Sequence, residues 1–181
     1  VALLYCLFAM HQSNDLMKYA LNLLLSILLL SLMHADAQKH DTKKMVPPFD
    51  IELTNSKHFK ANELKKEIPV IIIYFDPTCE HCHAFTGEML KHYKEFGNTQ
   101  IVMISYTPVA QVVKFEADFS LMNYPTIKVG TEGESFVVQR FYGVQKFPFI
   151  ALYDKTGLIT AYHRTPTTVD VVLKELKKQS M

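Results

Sequence analysis

The chain has 181 residues, of which 49% are hydrophobic and 20% are charged, a composition typical of a globular rather than a disordered protein. Its 19 basic and 18 acidic residues leave a net charge of +1, which gives no electrostatic argument for binding nucleic acid. Six glycines and eight prolines are too few for a collagen-like or low-complexity chain, and three cysteines are too few for a disulfide-rich scaffold.

The N-terminal residues 1–37 are predicted to be a leader that is removed on export. A basic start and an apolar run precede Ala35 and Ala37, two small residues that would place cleavage before Gln38. This order of features is typical of a secretory signal peptide, here residues 17–37. We therefore expect an exported protein.

Two features of this leader allow alternative interpretations. The apolar run is shorter than the roughly 20 residues of a bilayer span, yet an uncleaved leader would still anchor the protein to a membrane. Residues 1–16 are expected to come from a misassigned start, with translation beginning at Met17; a long leading segment is the alternative. Contact with a membrane is expected only through a retained leader.

The mature chain is predicted to hold one domain, residues 50–181, after a linker. Residues 38–49 are polar and end in two prolines, which is typical of a linker. Residues 50–53 are predicted to form a short edge strand, and residues 62–68 a short helix that ends before Pro69. A domain of this length can bury a hydrophobic core of its own.

Strands and helices are predicted to alternate along this domain. Two β-branched runs, at 69–75 and 101–106, predict strands, and the first is expected to be buried on both faces. The remaining predicted elements are helices at 79–96, 108–119, 131–142 and 169–176, a strand at 126–129, and a hairpin of strands 147–153 and 158–162. This alternation predicts an α/β sandwich.

A C-x-x-C motif, Cys79-Glu80-His81-Cys82, lies between the first buried strand and the helix that follows it. The N-terminus of a helix carries partial positive charge and free N–H groups, which favour a thiolate, the reactive form of cysteine. The spacing places both sulfurs on one side of the helix. We therefore expect Cys79, at the exposed start, to attack and Cys82, one turn further, to resolve the mixed disulfide.

The two residues between the cysteines are predicted to tune the thiolate in opposite directions. An imidazolium at His81 would stabilise the Cys79 thiolate and make the pair more oxidising, whereas the Glu80 carboxylate would repel it. An inert structural disulfide is a second interpretation of the motif. A metal half-site is a third, and its ligands would come from Cys79, His81, Cys82, His83, His92 and His163.

The ten residues 74–83, Tyr-Phe-Asp-Pro-Thr-Cys-Glu-His-Cys-His, resemble the active-site segment of the thioredoxin-like superfamily. The similarity is greatest to exported bacterial TlpA-type proteins, which overlap the AhpC/TSA redoxin family, and it extends over residues 50–179. The resemblance implies a three-layer α/β/α sandwich with a central mixed sheet and, for an exported protein, a location in the bacterial periplasm. It also implies a helix-strand insertion, at 107–135, between the active site and Pro148.

Phe147-Pro148, just before a predicted strand, is a second element of the resemblance. In this family the equivalent proline is cis and faces the cysteines, and the backbone beside it binds the substrate chain. The resemblance therefore implies a cis Pro148 and a substrate-binding role for both residues. From the residues alone, an ordinary strand start fits equally well. Phe147 is also a candidate for an apolar substrate groove, while the neighbouring aromatic residues are expected in the core.

The chain also departs from the family pattern. Thr78 occupies the position of the tryptophan that commonly precedes the motif, and residues 70–73 lack the buried acid of the preceding strand. Asp76 is interpreted as a turn residue that could also hydrogen-bond near Cys79. The acceptor for the proton of Cys82 therefore stays open between solvent and the side chains of His81, His83 and Glu88.

The predicted function is that of an exported thiol–disulfide oxidoreductase that acts on cysteine-containing protein substrates and on an unidentified redox partner. No cofactor or metal is expected. A redoxin-type peroxidase is one alternative, but the chain lacks the Pro-x-x-x-Thr/Ser-x-x-Cys pattern and has only two arginines, Arg140 and Arg164. A copper-binding or chaperone module that uses Cys79, Cys82 and His163 is the other. Copper chaperones of this fold usually space their cysteines one residue wider.

Overall fold

The computed structural model describes residues 45–164 and 167–179, together with Leu23. Most of the predicted leader, the start at Met17 and most of the linker fall outside these residues, so the corresponding predictions stay predictions. In the described part of the chain, no helix combines the length and the hydrophobicity that crossing a bilayer requires.

The described strands all belong to one mixed sheet. They are β1 (Asp50–Leu53), β2 (His58–Lys60), β3 (Val70–Tyr74), β4 (Gln100–Ser105), β5 (Ile127–Thr131), β6 (Phe149–Tyr153) and β7 (Ile159–His163). Within residues 45–164 and 167–179, the α-helices are α1 (Glu80–Lys91), α2 (Val109–Phe119), α3 (Val137–Tyr142) and α4 (Val169–Lys178), and 3-10 turns cover Ala61–Glu63, Tyr93–Phe96, Leu121–Asn123 and Gly133–Ser135. The strand order is β2-β1-β5-β4-β3-β6-β7.

β3 lies in the interior of the sheet because its sequence is apolar on both faces. All residues of Val70–Tyr74 are buried, and the strand pairs in parallel with β4 and antiparallel with β6. Ile71 and Ile73 belong to the core cluster on one side, whereas Ile72 and Tyr74 belong to the cluster on the other. The prediction of a strand buried on both faces is confirmed.

Three helices pack on one face of the sheet and one packs on the other. Cys82 of α1, Val112 of α2 and Leu173 of α4 join the first core cluster, whereas Val138 of α3 joins the second. Right-handed crossovers from β3 to β4 and from β4 to β5 place α1 and α2 on the same face. This is the predicted three-layer sandwich with a mixed sheet, and α2 and β5 occupy the interval of the expected insertion.

The register between β3 and β6 determines which loops meet at one edge of the sheet. Tyr74, the last residue of β3, pairs with Phe149, the first residue of β6. Because these strands are antiparallel, the segment that leaves β3 lies beside the segment that enters β6. The C-x-x-C motif follows the first strand and Pro148 precedes the second, so the sheet brings the two predicted halves of the site together.

Two predictions for the start of the domain are wrong. Asp50–Leu53 is a strand, but it lies between β2 and β5, and β2 forms the edge. The helix expected at 62–68 is reduced to the 3-10 turn Ala61–Glu63. The side-chain amide of Gln100 accepts from the Lys65 N–H at 2.7 Å and donates to the Lys65 carbonyl at 3.0 Å, so this main chain is not free to form helical bonds.

The helix predicted over 131–142 is wrong in its first half. Thr131 ends β5, and α3 begins only after a 3-10 turn. The Glu132 carboxylate favours this later start, because it accepts hydrogen bonds from the main-chain N–H groups of Val138 at 2.7 Å and Gln139 at 3.2 Å. The predicted hairpin of β6 and β7 and the final amphipathic helix are confirmed.

Candidate active site

Cys79 occupies the position just before the first turn of α1, at the edge of the sheet where β3 ends. It is half-buried and carries a free thiol. Its main-chain N–H donates to the Asp76 carbonyl at 3.1 Å, which closes the turn that leads from β3 into the helix. The free N–H groups of a first helical turn favour negative charge at this position. The cysteine expected to attack therefore lies at the N-terminus of a helix, where the motif predicts it.

Cys82 lies one turn further along α1 and is only 1% exposed. Its thiol is hydrogen-bonded to that of Cys79, and the main chain of Asp76 also forms a hydrogen bond with the Cys82 sulfur. Burial is the largest influence on this thiol and raises its pKa well above the usual range. Cys82 is therefore a neutral thiol at neutral pH.

Phe147 and Pro148 face the cysteines from the other half of the site. Their peptide bond is cis, as the resemblance implied. The Cys79 sulfur lies 3.8 Å from the carbonyl oxygen of Phe147, which accepts its S–H. Pro148 is buried and Phe147 is half-buried. The Cys79 sulfur and a main-chain acceptor thus lie side by side.

The Asp76 carboxylate connects the active-site turn to the end of β4. Its Oδ1 accepts from the Thr78 N–H and hydroxyl, both at 2.7 Å, and its Oδ2 accepts from the Tyr106 hydroxyl at 2.7 Å. Partial burial would raise the pKa of Asp76, but these hydrogen bonds together outweigh it and hold the pKa below its usual range. Asp76 is therefore ionised at neutral pH.

Aromatic rings stack beside the Phe147–Pro148 segment. The ring centroids of Tyr74, Tyr106 and Phe147 lie 5.7 to 6.4 Å apart, and Phe136 lies 6.3 Å from Tyr106. Tyr74 is buried, and its hydroxyl donates to the Glu132 carboxylate at 2.7 Å. Phe136 and Phe147 are half-buried. Phe136, Tyr106 and Phe147 are thus neighbours, and the apolar substrate groove predicted at Phe147 stays a prediction.

His83 has a structural role that the sequence did not indicate. Its Nε2 donates to the Pro77 carbonyl at 2.7 Å. Its ring packs edge-on against Phe115, with centroids 5.0 Å apart, and against Phe119 at 5.3 Å. These contacts connect the active-site turn to α1 and α2. Because Nε2 already carries the donated proton, His83 does not accept a proton from Cys82 at this nitrogen.

The other predicted acceptors and tuning residues are exposed or paired elsewhere. Glu88 forms an ion pair with Lys91 at 2.8 Å. Glu80 and His81 are exposed at the first turn of α1. Among the described contacts, none joins either side chain to Cys79, so their predicted influence on its thiolate stays a prediction.

Asp76 is the carboxylate whose charge does reach the buried sulfur. Burial is the main cause of the raised pKa of Cys82; the Asp76 charge adds a small further increase, as a nearby like charge does, whereas the hydrogen bond from the Asp76 main chain lowers this pKa by more. Because the pKa of Asp76 itself is lowered, its carboxylate is a weak base and acts on Cys82 through its charge. The Asp-Pro-Thr sequence indicates a turn and hence the bond to Thr78. No sequence signal joins Asp76 to Tyr106, since only the parallel pairing of β3 with β4 brings them together.

The ligand set considered for copper does not assemble. Among the residues that the structure describes, no group of three or more histidine, cysteine and acidic side chains could hold a metal ion. Cys79, Cys82 and His163 are all described, so they do not form such a group. His163 instead bonds through Nε2 to the Glu175 carboxylate at 2.7 Å, joining β7 to α4.

Both arginines are hydrogen-bonded away from the cysteines. Arg140 donates to the carbonyl of Ser135, and Arg164 donates to the carbonyl of Tyr142 at 2.8 Å. These contacts stabilise the chain around α3 and the end of β7. Neither contact provides the arginine that a redoxin-type peroxidase places beside its reactive cysteine, here Cys79.

Comparison with protein families matches the model of a thioredoxin-like domain to residues 55–179. The chain belongs to the thioredoxin-like family. Comparison with curated proteins gives no match in sequence. The family membership confirms the resemblance found in residues 74–83.

Solved structures share this fold at low sequence identity. The thioredoxin domain of a thiol-disulfide oxidoreductase from Bacteroides vulgatus has a TM-score of 0.64 and 20% identity, covering 75% of this chain and 95% of that one. A secreted Mycobacterium tuberculosis disulfide oxidoreductase homologous to E. coli DsbE has a TM-score of 0.61 and 17% identity, covering 72% and 96%. The peroxidoxin BcpB from Mycobacterium tuberculosis has a TM-score of 0.63 and 15% identity, covering 74% and 94%. These similarities establish the fold.

Proposed function

We propose that this protein is an exported thiol–disulfide oxidoreductase that exchanges disulfides with cysteine-containing protein substrates through Cys79 and Cys82. The observation that carries the proposal is the asymmetry of the two sulfurs. Cys79 is half-buried at the start of α1 and faces the Phe147 carbonyl, whereas Cys82 is enclosed behind it. The Cys79 sulfur can therefore react with a substrate disulfide, whereas the Cys82 sulfur can react only with Cys79.

Disulfide exchange takes place in two steps. The Cys79 thiolate attacks a substrate disulfide and forms a mixed disulfide, and one substrate sulfur leaves as a thiolate. Cys82 then loses its proton, its sulfur bonds to Cys79, and the second substrate sulfur leaves. The substrate gains two electrons and the cysteine pair loses two. The reverse sequence oxidises a substrate dithiol, and a separate redox partner restores the pair in either direction.

Phe147 and Pro148 are the proposed substrate-binding residues. The Phe147 carbonyl lies beside the Cys79 sulfur, where a main-chain N–H of an extended peptide can bond to it. The half-buried Phe147 ring offers an apolar contact to the residue next to the substrate cysteine. Both contacts favour an unfolded or flexible protein segment as substrate.

Export is part of the proposal because residues 17–37 have the order of features of a signal peptide. The presence of a secreted oxidoreductase among proteins of the same fold is consistent with this location. N-terminal sequencing of the protein recovered from the periplasm tests it, and a chain that stays in the cytoplasm would contradict it.

Reduction of insulin in the presence of dithiothreitol tests the activity. The wild-type protein is expected to accelerate insulin precipitation over dithiothreitol alone. Cys79→Ser should abolish the acceleration, because no sulfur is left to attack. Mixed with insulin in the absence of dithiothreitol, Cys82→Ser should accumulate a covalent complex with the substrate that a reductant then releases. Equal activity of the wild type and Cys79→Ser would contradict the proposal.

The same preparations distinguish the competing functions. Peroxide consumption that depends on Cys79 and a thiol reductant, without insulin reduction, would favour a peroxidase. Stoichiometric copper in the purified wild-type protein, lost in Cys79→Ser, would favour a copper-binding module.

A further inference from the structure

Tyr106 directly follows β4 and contacts both halves of the active site. Its hydroxyl donates to Asp76 Oδ2 at 2.7 Å. Its ring stacks on Phe147, with centroids 5.7 Å apart and planes inclined by 20°, and on Tyr74 at 6.4 Å and 14°. These stacked rings fix the direction of the hydroxyl. Tyr106 therefore holds a carboxylate on the C-x-x-C side while it packs on the Pro148 side.

The Asp76 carboxylate opposes the step in which Cys82 reacts. When Cys82 attacks the mixed disulfide, its proton leaves and negative charge develops on its sulfur. The main chain of Asp76 is hydrogen-bonded to the Cys82 sulfur, so the two residues are direct neighbours, and the carboxylate charge adds a small increase to the pKa that burial has already raised. The same repulsion would disfavour the transition state of the attack. Any group that offsets the Asp76 charge lowers this cost.

Tyr106 is suited to this task over the whole neutral range. Its pKa is raised to about 12, chiefly by the hydrogen bond to Asp76, so the phenol stays protonated and keeps donating. A hydrogen bond to an ionised acceptor is stronger than one between neutral groups.

We propose that Tyr106 is a positioning residue for the resolving step, because its hydroxyl holds and partly neutralises the Asp76 carboxylate near Cys82. The inference rests on the proposed thiol–disulfide exchange. In that step the Cys82 sulfur bonds to Cys79, and the bond between Cys79 and the substrate sulfur breaks. The substrate leaves as a thiolate with the electron pair, and the Cys82 proton passes to solvent.

Reaction of the reduced protein with dithionitrobenzoate, an aromatic disulfide, separates the two steps. Attack by Cys79 releases one coloured thiolate and leaves the other half of the reagent on Cys79. Attack by Cys82 then releases the second. Wild type is expected to show two phases of absorbance, and Cys82→Ser only the first.

Tyr106→Phe keeps the stacked ring and removes the hydroxyl. We expect it to slow the second phase by about threefold or more, the order expected for one partly exposed polar interaction, and to affect the first phase less. Asp76→Asn should accelerate the second phase, because the charge is lost while the amide oxygen can still accept from Thr78. The double variant should match Asp76→Asn, since the hydroxyl acts through the carboxylate.

Tyr93→Phe is the matched control. It removes a hydroxyl that lies 2.9 Å from the Thr126 hydroxyl, away from both cysteines, and should leave both phases unchanged. A second phase of wild-type rate in Tyr106→Phe would overturn the inference. Slowing that persists beside Asp76→Asn would also overturn it, because it would show a packing effect. A wild-type protein without a second phase would instead contradict the proposed function.

Discussion

Glu80 and His81 occupy the first turn of α1 between the two cysteines, and both side chains are exposed. His81→Ala is expected to make the Cys79–Cys82 pair more reducing, because an imidazolium that stabilises the thiolate is lost. Glu80→Gln is expected to make it more oxidising, because a repelling charge is lost. Each shift should be about 15 mV, a threefold change in the redox equilibrium.

Equilibration with glutathione buffers of known ratio measures both shifts. Asp118→Asn is the control, since it removes an exposed carboxylate that pairs with Lys114 at the far end of α2. It should leave the potential unchanged. Shifts of the same sign in Glu80→Gln and His81→Ala would show that the two side chains do not act through their charges.

At the residue scale, the sequence predicts the groups whose chemistry is carried by a local motif. Cys79 and Cys82 lie where the C-x-x-C spacing places them, at the start of a helix after a buried strand. The contact between Asp76 and Tyr106 could not be predicted, because Tyr106 follows a different strand. The ring contact between His83 and Phe115 likewise depends on which side of α1 faces α2. Contacts of this kind follow from topology rather than from spacing.

The pairing of β5 with β1 depends on the absence of a side chain at Gly130. A Cβ there would lie 2.6 Å from the carbonyl oxygen of Glu52 and 3.1 Å from Ile51 Cδ1. Gly130→Ala is therefore expected to lower the free energy of unfolding by about 1–3 kcal/mol, since two strands must separate. Urea denaturation measures this change.

Gly87 in α1 provides the matched control. A Cβ there would meet its nearest described neighbour, a ring carbon of Phe119, at 3.8 Å, which is ordinary contact. Gly87→Ala should raise the free energy of unfolding by about 0.5–1 kcal/mol through the better helix propensity of alanine. Equal effects of the two substitutions would show that the approach of β1 to β5 is not constrained at Gly130.

At the element scale, the sequence predicts elements that a single periodicity specifies. Such elements are the apolar strand β3, the hairpin of β6 and β7, and the amphipathic helix α4. The predictions are wrong where a side chain from another element takes the main-chain hydrogen bonds that the predicted helix would use. Gln100 takes the hydrogen bonds of Lys65, and Glu132 caps α3 from the preceding loop. These partners come from other elements, so no local pattern reveals them.

The titration of buried and hydrogen-bonded groups sets the pH range in which the whole domain is stable. Hydrogen bonds hold the pKa of Asp76 and Asp154 below their usual range, although burial acts against them. Burial raises the pKa of Tyr153 to about 12 and that of Tyr74 further. The aspartates stabilise the fold above their unfolded pKa, and this is lost in acid. The tyrosines' contribution is lost as the pH rises past about 10.

The free energy of unfolding is therefore expected to be highest between about pH 5 and pH 9 and to fall on both sides. Urea denaturation at about pH 3, 7 and 10.5 measures it. Asp154→Asn should reduce the loss on the acid side, because the Asp154 carboxylate that holds the Thr156 turn no longer titrates. A domain that is equally stable at the three pH values would contradict this assignment.

The direct pairing of β3 with β6 makes the spacing of the active site independent of the length of the chain between these strands. Because the two strands are direct neighbours, a single local pairing fixes the gap between the cysteines and Pro148. The long stretch of chain between them, which includes α2, β5 and α3, does not set that gap. Loops in this stretch can lengthen or shorten at small entropic cost. The intervening stretch can therefore vary in length while the distance between the cysteines and Pro148 is kept.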